Sequence, residues 1–274
     1  MKRIGLFRYH DHLEICKNRL ELFRYLNPEI DIYGLYGGNK NNFHATSVQL
    51  NHYFSGNFCI EGKNDLWKWK NGDLSVRHWY IDYGKNLDFD MVHIFEWDLM
   101  MTESLDKLFS HIPTNALGIT GLTSLKKLEN KWYWTRNSNQ RTEWEALKSL
   151  LKTNYNFTGP YFASVGPGLS LPKSFLDQYA TAEVPEYGND ELRLPAFAAA
   201  MGFQLYDTGF VKKWNGKNEK KFFNCNEYEI PVKTVLGQLS RKNGRRVFHP
   251  FRDKIKITDL FTQKSNASYD INLL

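Results

Sequence analysis

Two carboxylates follow a strongly apolar segment of the sequence, VHIFEWDLMM, in which Glu96 and Asp98 flank Trp97. Residues two apart along a β-strand point to the same face, so we expect both acids on one face at the end of a strand. At about 4 Å, two such charges repel each other by ~1 kcal/mol in water and by ~4 kcal/mol near a protein surface. Solvent, a proton, a basic side chain or a metal ion has to offset that repulsion.

A divalent cation is the chemically informative possibility. Ligands of open α/β sheets bind beyond the carboxyl ends of the strands, and Mg²⁺-type ions combine one or two carboxylates with phosphate oxygens of a substrate. His249, in VFHPF, is a candidate third ligand, because neutral imidazole suits Mn²⁺ or a similar ion beside carboxylates. The alternative is an exposed strand end with solvated acids, since short acidic triplets recur freely.

A second pair of acids stands in GNDELRLPAFAAAMGF, where Asp190 and Glu191 occupy the first turn of a predicted helix. The helix dipole favours negative charge there, so both acids could simply stabilise the helix start. Alternatively, Asp190 is a general base, which requires an ionised carboxylate within hydrogen-bond reach of an acceptor hydroxyl. The dipole keeps the carboxylate ionised, so both interpretations stay open.

Gly166 and Gly168, in SVGPGLSL, either form a tight turn or let the backbone approach a ligand closely.

The elements that would position these residues alternate along the chain. RIGLFRY, HLEICKNRLELFRYL and IDIYGLY predict a strand, a helix and a second strand, which together form a βαβ unit of a parallel sheet. Further strands are predicted in DFDMVHIFEWDL and ALGITGL, and helices in residues 64–87 and TEWEALKSLLK. YFASVGPGLSLPKSFLDQY predicts a strand, a turn and a helix, and NDELRLPAFAAAMGFQLYDTGF a helix and a strand. Pro195 should kink that helix or confine it to one side.

The composition describes a soluble protein with a sizeable core. The chain has 274 residues, of which 42% are hydrophobic and 24% charged, enough for one large domain. No apolar run approaches the ~18 residues of a membrane span, and the N-terminal apolar stretch is too short for a signal peptide. We therefore expect a cytoplasmic protein. Three widely spaced cysteines argue against a disulfide framework and a zinc knuckle.

The net charge of +6 is concentrated late in the chain, in RKNGRR and in the arginine and lysines that follow it. Such a stretch is either a solvated loop or a site for nucleic acid, an anionic membrane surface or a phosphorylated small molecule. No nucleic-acid motif accompanies it, so we expect no nucleic-acid partner.

The order of these features resembles the GT-A class of nucleotide-sugar glycosyltransferases. The EWD triplet resembles that class's DxD motif, with Glu96 in place of the first Asp. NDELRLPAFAAAMGF is similar to the ED-x-x-L…R…G segment of inverting family 2 enzymes: Asp190 falls on the second acid, Asn189 replaces the first, and the later Arg is missing. GPGLSL resembles the acceptor-side glycine turn of several GT-A families. The resemblance spans residues 1 to about 250 and rests on the order of the features.

The resemblance implies a fold and a domain plan. We expect an α/β fold of GT-A type, with a Rossmann-like, mostly parallel central sheet flanked by helices and an irregular C-terminal extension. The chain would form a single domain. Residues 1–125 would bind the nucleotide sugar, residues 126–250 the acceptor, and residues 251–274 would form a C-terminal tail.

The resemblance also implies a function. The implied protein is an inverting, metal-dependent hexosyl or related transferase. It would move a sugar from a nucleotide-sugar donor to a glycan or lipid-linked acceptor, and a UDP-sugar is the favoured donor. Such an enzyme would act in surface polysaccharide biosynthesis, in the cytoplasm or at the inner face of the membrane, with Mn²⁺ or Mg²⁺ as cofactor.

The implied roles divide the site residues into four groups. Asp190 would be the catalytic base, and the metal ligands would be Glu96, Asp98 and His249. The nucleotide sugar would be bound by Arg8, Tyr9, Asp11, Glu96, Trp97, Asp98, Arg245 and Arg246. The acceptor would be bound by Gly166, Gly168, Trp132, Trp134 and Glu191.

Two other classes of protein remain as alternatives. A sugar nucleotidyltransferase should carry a glycine-rich loop after the first strand, where this chain has RYHDHLE without glycine. A non-catalytic module that binds sugar or nucleic acid would account for the aromatic content and the charge.

Overall fold

The computed structural model of the protein describes residues 1–214 and 216–260. The strands are β1 (Arg3–Tyr9), β2 (Asp31–Tyr36), β3 (Gly56–Cys59), β4 (Met91–Glu96), β5 (Met100–Met101), β6 (Leu117–Ile119), β7 (Thr123–Ser124), β8 (Phe162–Ala163), β9 (Leu169–Pro172), β10 (Leu205–Asp207) and β11 (Val247–Phe248). The helices are α1 (Leu13–Leu26), α2 (Lys40–Leu50), α3 (Asp65–Lys70), α4 (Gly72–Asp82), α5 (Leu105–Leu108), α6 (Tyr133–Arg136), α7 (Ser138–Tyr155), α8 (Lys173–Thr181), α9 (Asp190–Ala200) and α10 (Val232–Leu239).

A seven-stranded sheet forms the centre of the fold, in the order β10-β6-β9-β4-β1-β2-β3. β1 pairs in parallel with both β2 and β4, β2 with β3, and β6 with β10. β9 runs antiparallel to its neighbours β4 and β6. The predicted fold class, an α/β protein with a mostly parallel central sheet flanked by helices, is confirmed.

Apolar side chains cover both faces of this sheet. Along β1, Ile4 and Leu6 belong to one buried cluster with residues of α4, α7 and α9, whereas Phe7 and Tyr9 belong to a second cluster with residues of α1. The alternation follows from the strand geometry, in which successive side chains point to opposite faces. Burial on both faces explains why the parallel strands appear in the sequence as continuous apolar runs.

The strand β9 is the main element that the sequence analysis missed. The segment around GPGLSLP was predicted to be a turn leading directly into a helix, but residues 169–172 form a strand between β4 and β6. All four of its residues are buried, so they carry no alternation of apolar and polar side chains. A buried run this short cannot be assigned from its periodicity.

Pro195 lies inside α9 and does not end it. A proline has no N–H, so the carbonyl of Glu191, four residues earlier, loses its helical donor. The backbone N–H and the hydroxyl of Ser164 donate to that carbonyl instead, at 3.0 Å and 3.3 Å. The proline therefore connects the start of α9 to the loop that follows β8.

Residues 251–260 are a packed part of the fold, although the sequence analysis placed the beginning of a tail at residue 251. Phe251 and Ile255 are buried in a cluster that includes Leu22 of α1. The guanidinium of Arg19 donates to the carbonyls of Phe251 and Asp253, at 2.7 Å and 2.8 Å. The rest of the predicted tail, residues 261–274, lies outside the described residues. The division into a donor half and an acceptor half stays a prediction.

Within residues 1–214 and 216–260, no helix combines the length and the apolar character needed to cross a membrane.

Candidate functional site

A cleft of about 680 Å³ opens at the carboxyl ends of β1, β2 and β4. These strands are parallel neighbours, so their carboxyl ends meet at one edge of the sheet. Residues 8–11, 35–38 and 96–98 line this side of the cleft. The remaining walls come from the segment between residues 60 and 75, from Trp132 and Trp134, from residues 165–167, from residues 189–191 at the start of α9, and from the C-terminal part of the chain.

Glu96, Asp98 and His249 converge in this cleft. One side-chain ligand atom from each lies within 4.8 Å of the other two. The short strands β5 and β11 explain how a distant histidine reaches the two acids: Met100 pairs with Phe248, directly before His249. The three side chains that the sequence analysis proposed as metal ligands are therefore neighbours.

Nδ1 of His249 is hydrogen-bonded to the backbone, and Nε2 faces Asp98. Nδ1 lies 2.9 Å from the carbonyl oxygen of Asn224, and because a carbonyl can only accept, Nδ1 carries the hydrogen. Nε2 faces Oδ1 of Asp98 at 3.5 Å. When the imidazole is neutral with its hydrogen on Nδ1, the Nε2 lone pair is available to a cation in place of the contact with Asp98. Two carboxylates and an imidazole are a donor set that fits an ion such as Mn²⁺.

The charges around Asp98 keep its carboxylate ionised. Burial alone would raise the pKa of Asp98, but His249 and Arg252 together lower it below the usual value. Burial likewise opposes the charged form of His249, yet the hydrogen bond and charge of Asp98 raise the pKa of the imidazole.

An arginine compensates each of the two acids of the EWD triplet. Arg8 donates to Oε1 of Glu96 at 2.7 Å. Arg252 donates to Oδ2 of Asp98 at 3.2 Å and lies over the ring of Trp97, 5.5 Å from its centroid. Basic side chains therefore offset the repulsion between the acids, and they lie where phosphate oxygens could also be bound. In the sequence, Arg252 was visible only as part of the late basic surplus.

Arg245 and Arg246 lie elsewhere. Nη2 of Arg245 donates to both oxygens of the buried Glu219 carboxylate. Arg246 donates to the carbonyls of Gln238 and Arg241. In the described part of the chain neither borders the cleft. Their role at the diphosphate stays a prediction, and their positions do not support it.

Tyr9 and Asp11 also differ from each other in position. The Tyr9 ring is buried, and its hydroxyl donates to Asn57 at 2.8 Å. Asp11 is exposed at the border of the cleft. Of these two, Asp11 is thus the side chain that is free to approach a ligand.

Asp190 lies next to Arg8 at the start of α9. A methyl group added to Gly72 would collide with both the Asp190 carboxylate and the Arg8 guanidinium, so both groups lie against the Gly72 backbone. Burial raises the pKa of Asp190 to about 7, the charge of Asp73 adds to the rise, and Arg8 opposes it. The full ionisation expected from the helix dipole is therefore not found, because burial and the charge of Asp73 oppose the charged form of Asp190. A pKa near 7 suits a general base at neutral pH.

Glu191 lies beside the aromatic wall of the cleft. Trp134 Nε1 and Asn189 Nδ2 donate to its Oε2 at 3.1 Å and 3.3 Å, and its other oxygen faces the backbone of Gly166. Trp132 borders the cleft as well. Four residues proposed for the acceptor side thus come together. Gly168 does not border the cleft: its carbonyl accepts from Thr120 in the interior.

Replacement of Glu191 by Gln should stabilise the protein at alkaline pH. Burial, followed by the charge of Asp190, raises the pKa of Glu191 to about 8, well above ~4.3 for an unfolded Glu. Between these values the folded state keeps a proton that the unfolded state releases, so wild-type stability falls as the pH rises. We expect the melting temperature of Glu191→Gln to exceed that of the wild type by at least about 5 °C at pH 8.5, and by little at pH 5. Thermal denaturation without divalent cations measures this difference. Exposed Glu29→Gln is the control, and an equal gain at both pH values would contradict the prediction.

A buried ion pair lies behind Asp190 and was missed by the sequence analysis. Arg193 of α9 and Asp73 of α4 are fully buried, with Nη2 2.5 Å from Oδ1. Asn71 and Tyr179 complete the network by accepting from Arg193 and donating to Asp73. The signal in the sequence was a charged residue within the apolar helical segment ELRLPAF.

Asp73→Ala should strongly destabilise the protein, because it leaves the Arg193 guanidinium buried without its counterion. We expect the free energy of unfolding to fall by about 3–5 kcal/mol. Urea denaturation of the metal-free protein measures this change. Asp88→Ala is the matched control, since its partner Lys2 is solvent-exposed and surface pairs contribute little. Equal stability losses in the two variants would refute the structural role of the buried pair.

No protein-family model matches the chain, and no curated protein matches it. Solved structures that resemble it include the galactosyltransferase LgtC in complex with donor and acceptor sugar analogues, which is 12% identical over 92% of this chain and 84% of LgtC, with a TM-score of 0.42. A cytidylyltransferase from Leptospira borgpetersenii serovar Hardjo-bovis is 10% identical over 100% of this chain and 98% of that chain, with a TM-score of 0.43. Mouse xyloside xylosyltransferase 1 in its apo form is 10% identical over 91% of this chain and 97% of that chain, with a TM-score of 0.39. At these identities and TM-scores, the similarity does not identify the reaction.

Proposed function

We propose that the protein is a metal-dependent glycosyltransferase of the GT-A class, which transfers a sugar from a nucleotide-sugar donor to a hydroxyl of a glycan or lipid-linked acceptor. One observation carries the proposal. A cluster of two acids and a histidine, Glu96, Asp98 and His249, shares a single cleft with Asp190, whose pKa is raised to about 7. Such a cleft has a place for an ionised leaving group and a place for a base.

The donor side of the proposed site is the EWD end of the cleft. Glu96, Asp98 and His249 would hold Mn²⁺ or Mg²⁺, which when bound supplies Lewis-acid stabilisation of the departing nucleoside diphosphate. The guanidinium groups of Arg8 and Arg252 lie beside these acids. Arginine suits bidentate contacts with phosphate oxygens, so we assign these two residues to the diphosphate.

The acceptor side of the proposed site is the start of α9. Asp190 would accept the proton of the attacking hydroxyl as the acceptor oxygen bonds to the anomeric carbon and the bond from that carbon to the diphosphate breaks. Attack from the face opposite the leaving group inverts the configuration. Glu191, Trp132 and Trp134, which line the cleft together with Gly166, would orient the acceptor.

The wider role is part of the same proposal. A UDP-sugar is the favoured donor, and surface polysaccharide biosynthesis in the cytoplasm is the proposed context. The basic C-terminal region would suit a lipid-linked acceptor at the inner face of a membrane. A nucleotidyltransferase is the rival enzyme, and pyrophosphate release from a nucleoside triphosphate would favour it.

A thermal-shift panel of UDP-, GDP- and CDP-sugars, each with and without Mn²⁺, tests the proposal. One class of donor should raise the melting temperature only when Mn²⁺ is present. A ligand at 100 times its Kd stabilises a protein by about 2.7 kcal/mol, which corresponds to roughly 5–10 °C for a chain of this size. If no sugar nucleotide shifts the transition, or if the shifts ignore Mn²⁺, the proposal fails. Salt-sensitive binding of RNA or DNA instead would favour a binding module.

A further inference from the structure

Lys68 is a buried cation that borders the cleft and has donors to spare. The residue is 3% exposed, and its Nζ donates to the carbonyl of Gly38 at 2.9 Å. Among residues 1–214 and 216–260, no carboxylate forms an ion pair with it. An ammonium has three N–H donors and no acceptor, and burying such a group without enough partners is costly. Lys68 therefore has N–H donors beyond its bond to Gly38 that a ligand in the cleft could use.

Part of the cleft lining near the ends of β2 and β3 is apolar. Leu35 and Ile60 are buried apolar residues that line the cleft, as does the backbone of Gly37 and Gly38. The acid, histidine and arginine side chains assigned above to the cation and the diphosphate lie at the ends of β1 and β4 and in the C-terminal part of the chain. The cleft thus offers charged side chains to phosphates and apolar surface to a base.

The spacing of the strands agrees with that division. Gly38, which holds the Lys68 ammonium, follows β2, whereas Glu96 ends β4, and β1 lies between them. Neighbouring strands are about 4.8 Å apart, so these two strand ends are separated by about 10 Å. That is the reach of a nucleoside from its diphosphate to its base. Arg8, at the end of β1, bridges the two regions by donating to Glu96 and to the backbone carbonyl of Lys68.

We infer that Lys68 binds the far edge of the donor's nucleobase and selects a base with a carbonyl there. The inference rests on the proposed function. The ribose of a pyrimidine nucleotide is attached at N1, so the opposite edge is position 4, a carbonyl in uracil and thymine but an amino group in cytosine. In purines the corresponding position 6 is a carbonyl in guanine and an amino group in adenine. An ammonium can only donate hydrogen bonds. It can therefore bind a base that has a carbonyl at this edge, but not a base that has an amino group there.

Titration calorimetry with matched nucleotide pairs in the presence of Mn²⁺ tests the inference. For the ring size that fits, we expect wild-type protein to bind UDP more tightly than CDP, or GDP more tightly than ADP, by on the order of tenfold or more. Lys68→Met keeps the apolar stem and removes the donors. It should weaken the carbonyl-bearing partner on the order of tenfold and change the amino-bearing partner little. Lys70→Met is the matched control: Lys70 borders the cleft but pairs with Glu143 at 3.0 Å, so the preference should persist.

The outcomes separate this inference from the proposed function. Equal wild-type affinity within both pairs overturns the inference alone, and so does loss of the preference in Lys70→Met. Equal weakening of all nucleotides by Lys68→Met would place the ammonium on the phosphates and also overturn it. Absence of any nucleoside diphosphate binding by the wild type refutes the proposed function and, with it, this inference. If circular dichroism shows that Lys68→Met is unfolded, the wild-type comparison still decides.

Discussion

Asp98→Asn should abolish sugar transfer and Mn²⁺-dependent nucleotide binding while the protein stays folded. The Asp98 side chain is buried, with one oxygen facing His249 and the other accepting from Arg252. Asparagine preserves the shape but supplies neither the negative charge nor a second acceptor oxygen. A metal's stabilisation of developing charge is worth several kcal/mol, so we expect kcat/KM to fall by at least about 10³-fold.

The measurement combines steady-state transfer with thermal shifts in the presence and absence of Mn²⁺. Asp98→Asn should melt as a single cooperative transition, somewhat below the wild type, because the carboxylate also holds two basic side chains. Exposed Asp82→Asn, at the end of α4, is the control and should keep both activity and Mn²⁺ dependence. Turnover near the wild-type rate in Asp98→Asn would rule out the metal assignment.

Asp190→Asn should slow the chemical step by about 10² to 10⁴-fold, the range typical of a lost general base. Donor binding should change little, because the cation cluster and its arginines are intact. The wild-type rate should rise as the pH increases through about 7, since the carboxylate accepts a proton only when it is ionised and its pKa is raised to about 7. In Asp190→Asn that rise should disappear.

Pre-steady-state rates between pH 5.5 and 8.5, with nucleotide Kd values from calorimetry, check this prediction. Glu191→Gln is the matched variant from the same helical turn. It should raise the KM for the acceptor and keep the increase in rate with pH. If Asp190→Asn retains the wild-type pH profile, another group is the base. If it loses nucleotide affinity in proportion to its rate, Asp190 belongs to the donor site instead.

The Glu96–Asp98 pair shows which features of the site can be predicted from the local sequence. An apolar run that ends in two acids was enough to predict the strand and a charged strand end beside a cleft. The groups that offset the repulsion were not predictable, because Arg8 and Arg252 lie 88 and 154 residues away along the chain. Which basic residue reaches an acid depends on strand order and on short ladders such as β5 with β11. Four residues of such a ladder carry no periodic pattern.

At Asp190, too, the local sequence predicted the position of the residue but not its protonation, which depends on burial. Its position in the first helical turn could be predicted from a glycine, an asparagine and the apolar run that follows. Its pKa depends on packing of α9 against α4, which brings the buried Asp73 close, and on the contact with Arg8 over Gly72. A helix-dipole argument includes neither effect. The same packing decides that Arg193 is an internal counterion and not a surface charge.

The sequence by itself determined the α/β alternation, the apolar strands and the polar residues at their ends, because these depend on periodicities within about ten residues. Tertiary structure alone decided that His249 joins the two acids and that Lys68 is buried beside the cleft. It also decided that Arg252 lies at the cleft, whereas Arg245 pairs with Glu219. Electrostatic and hydrogen-bonding partners act over a few ångströms of space. The topology of the sheet decides which residues become partners, although they are often more than a hundred residues apart along the chain.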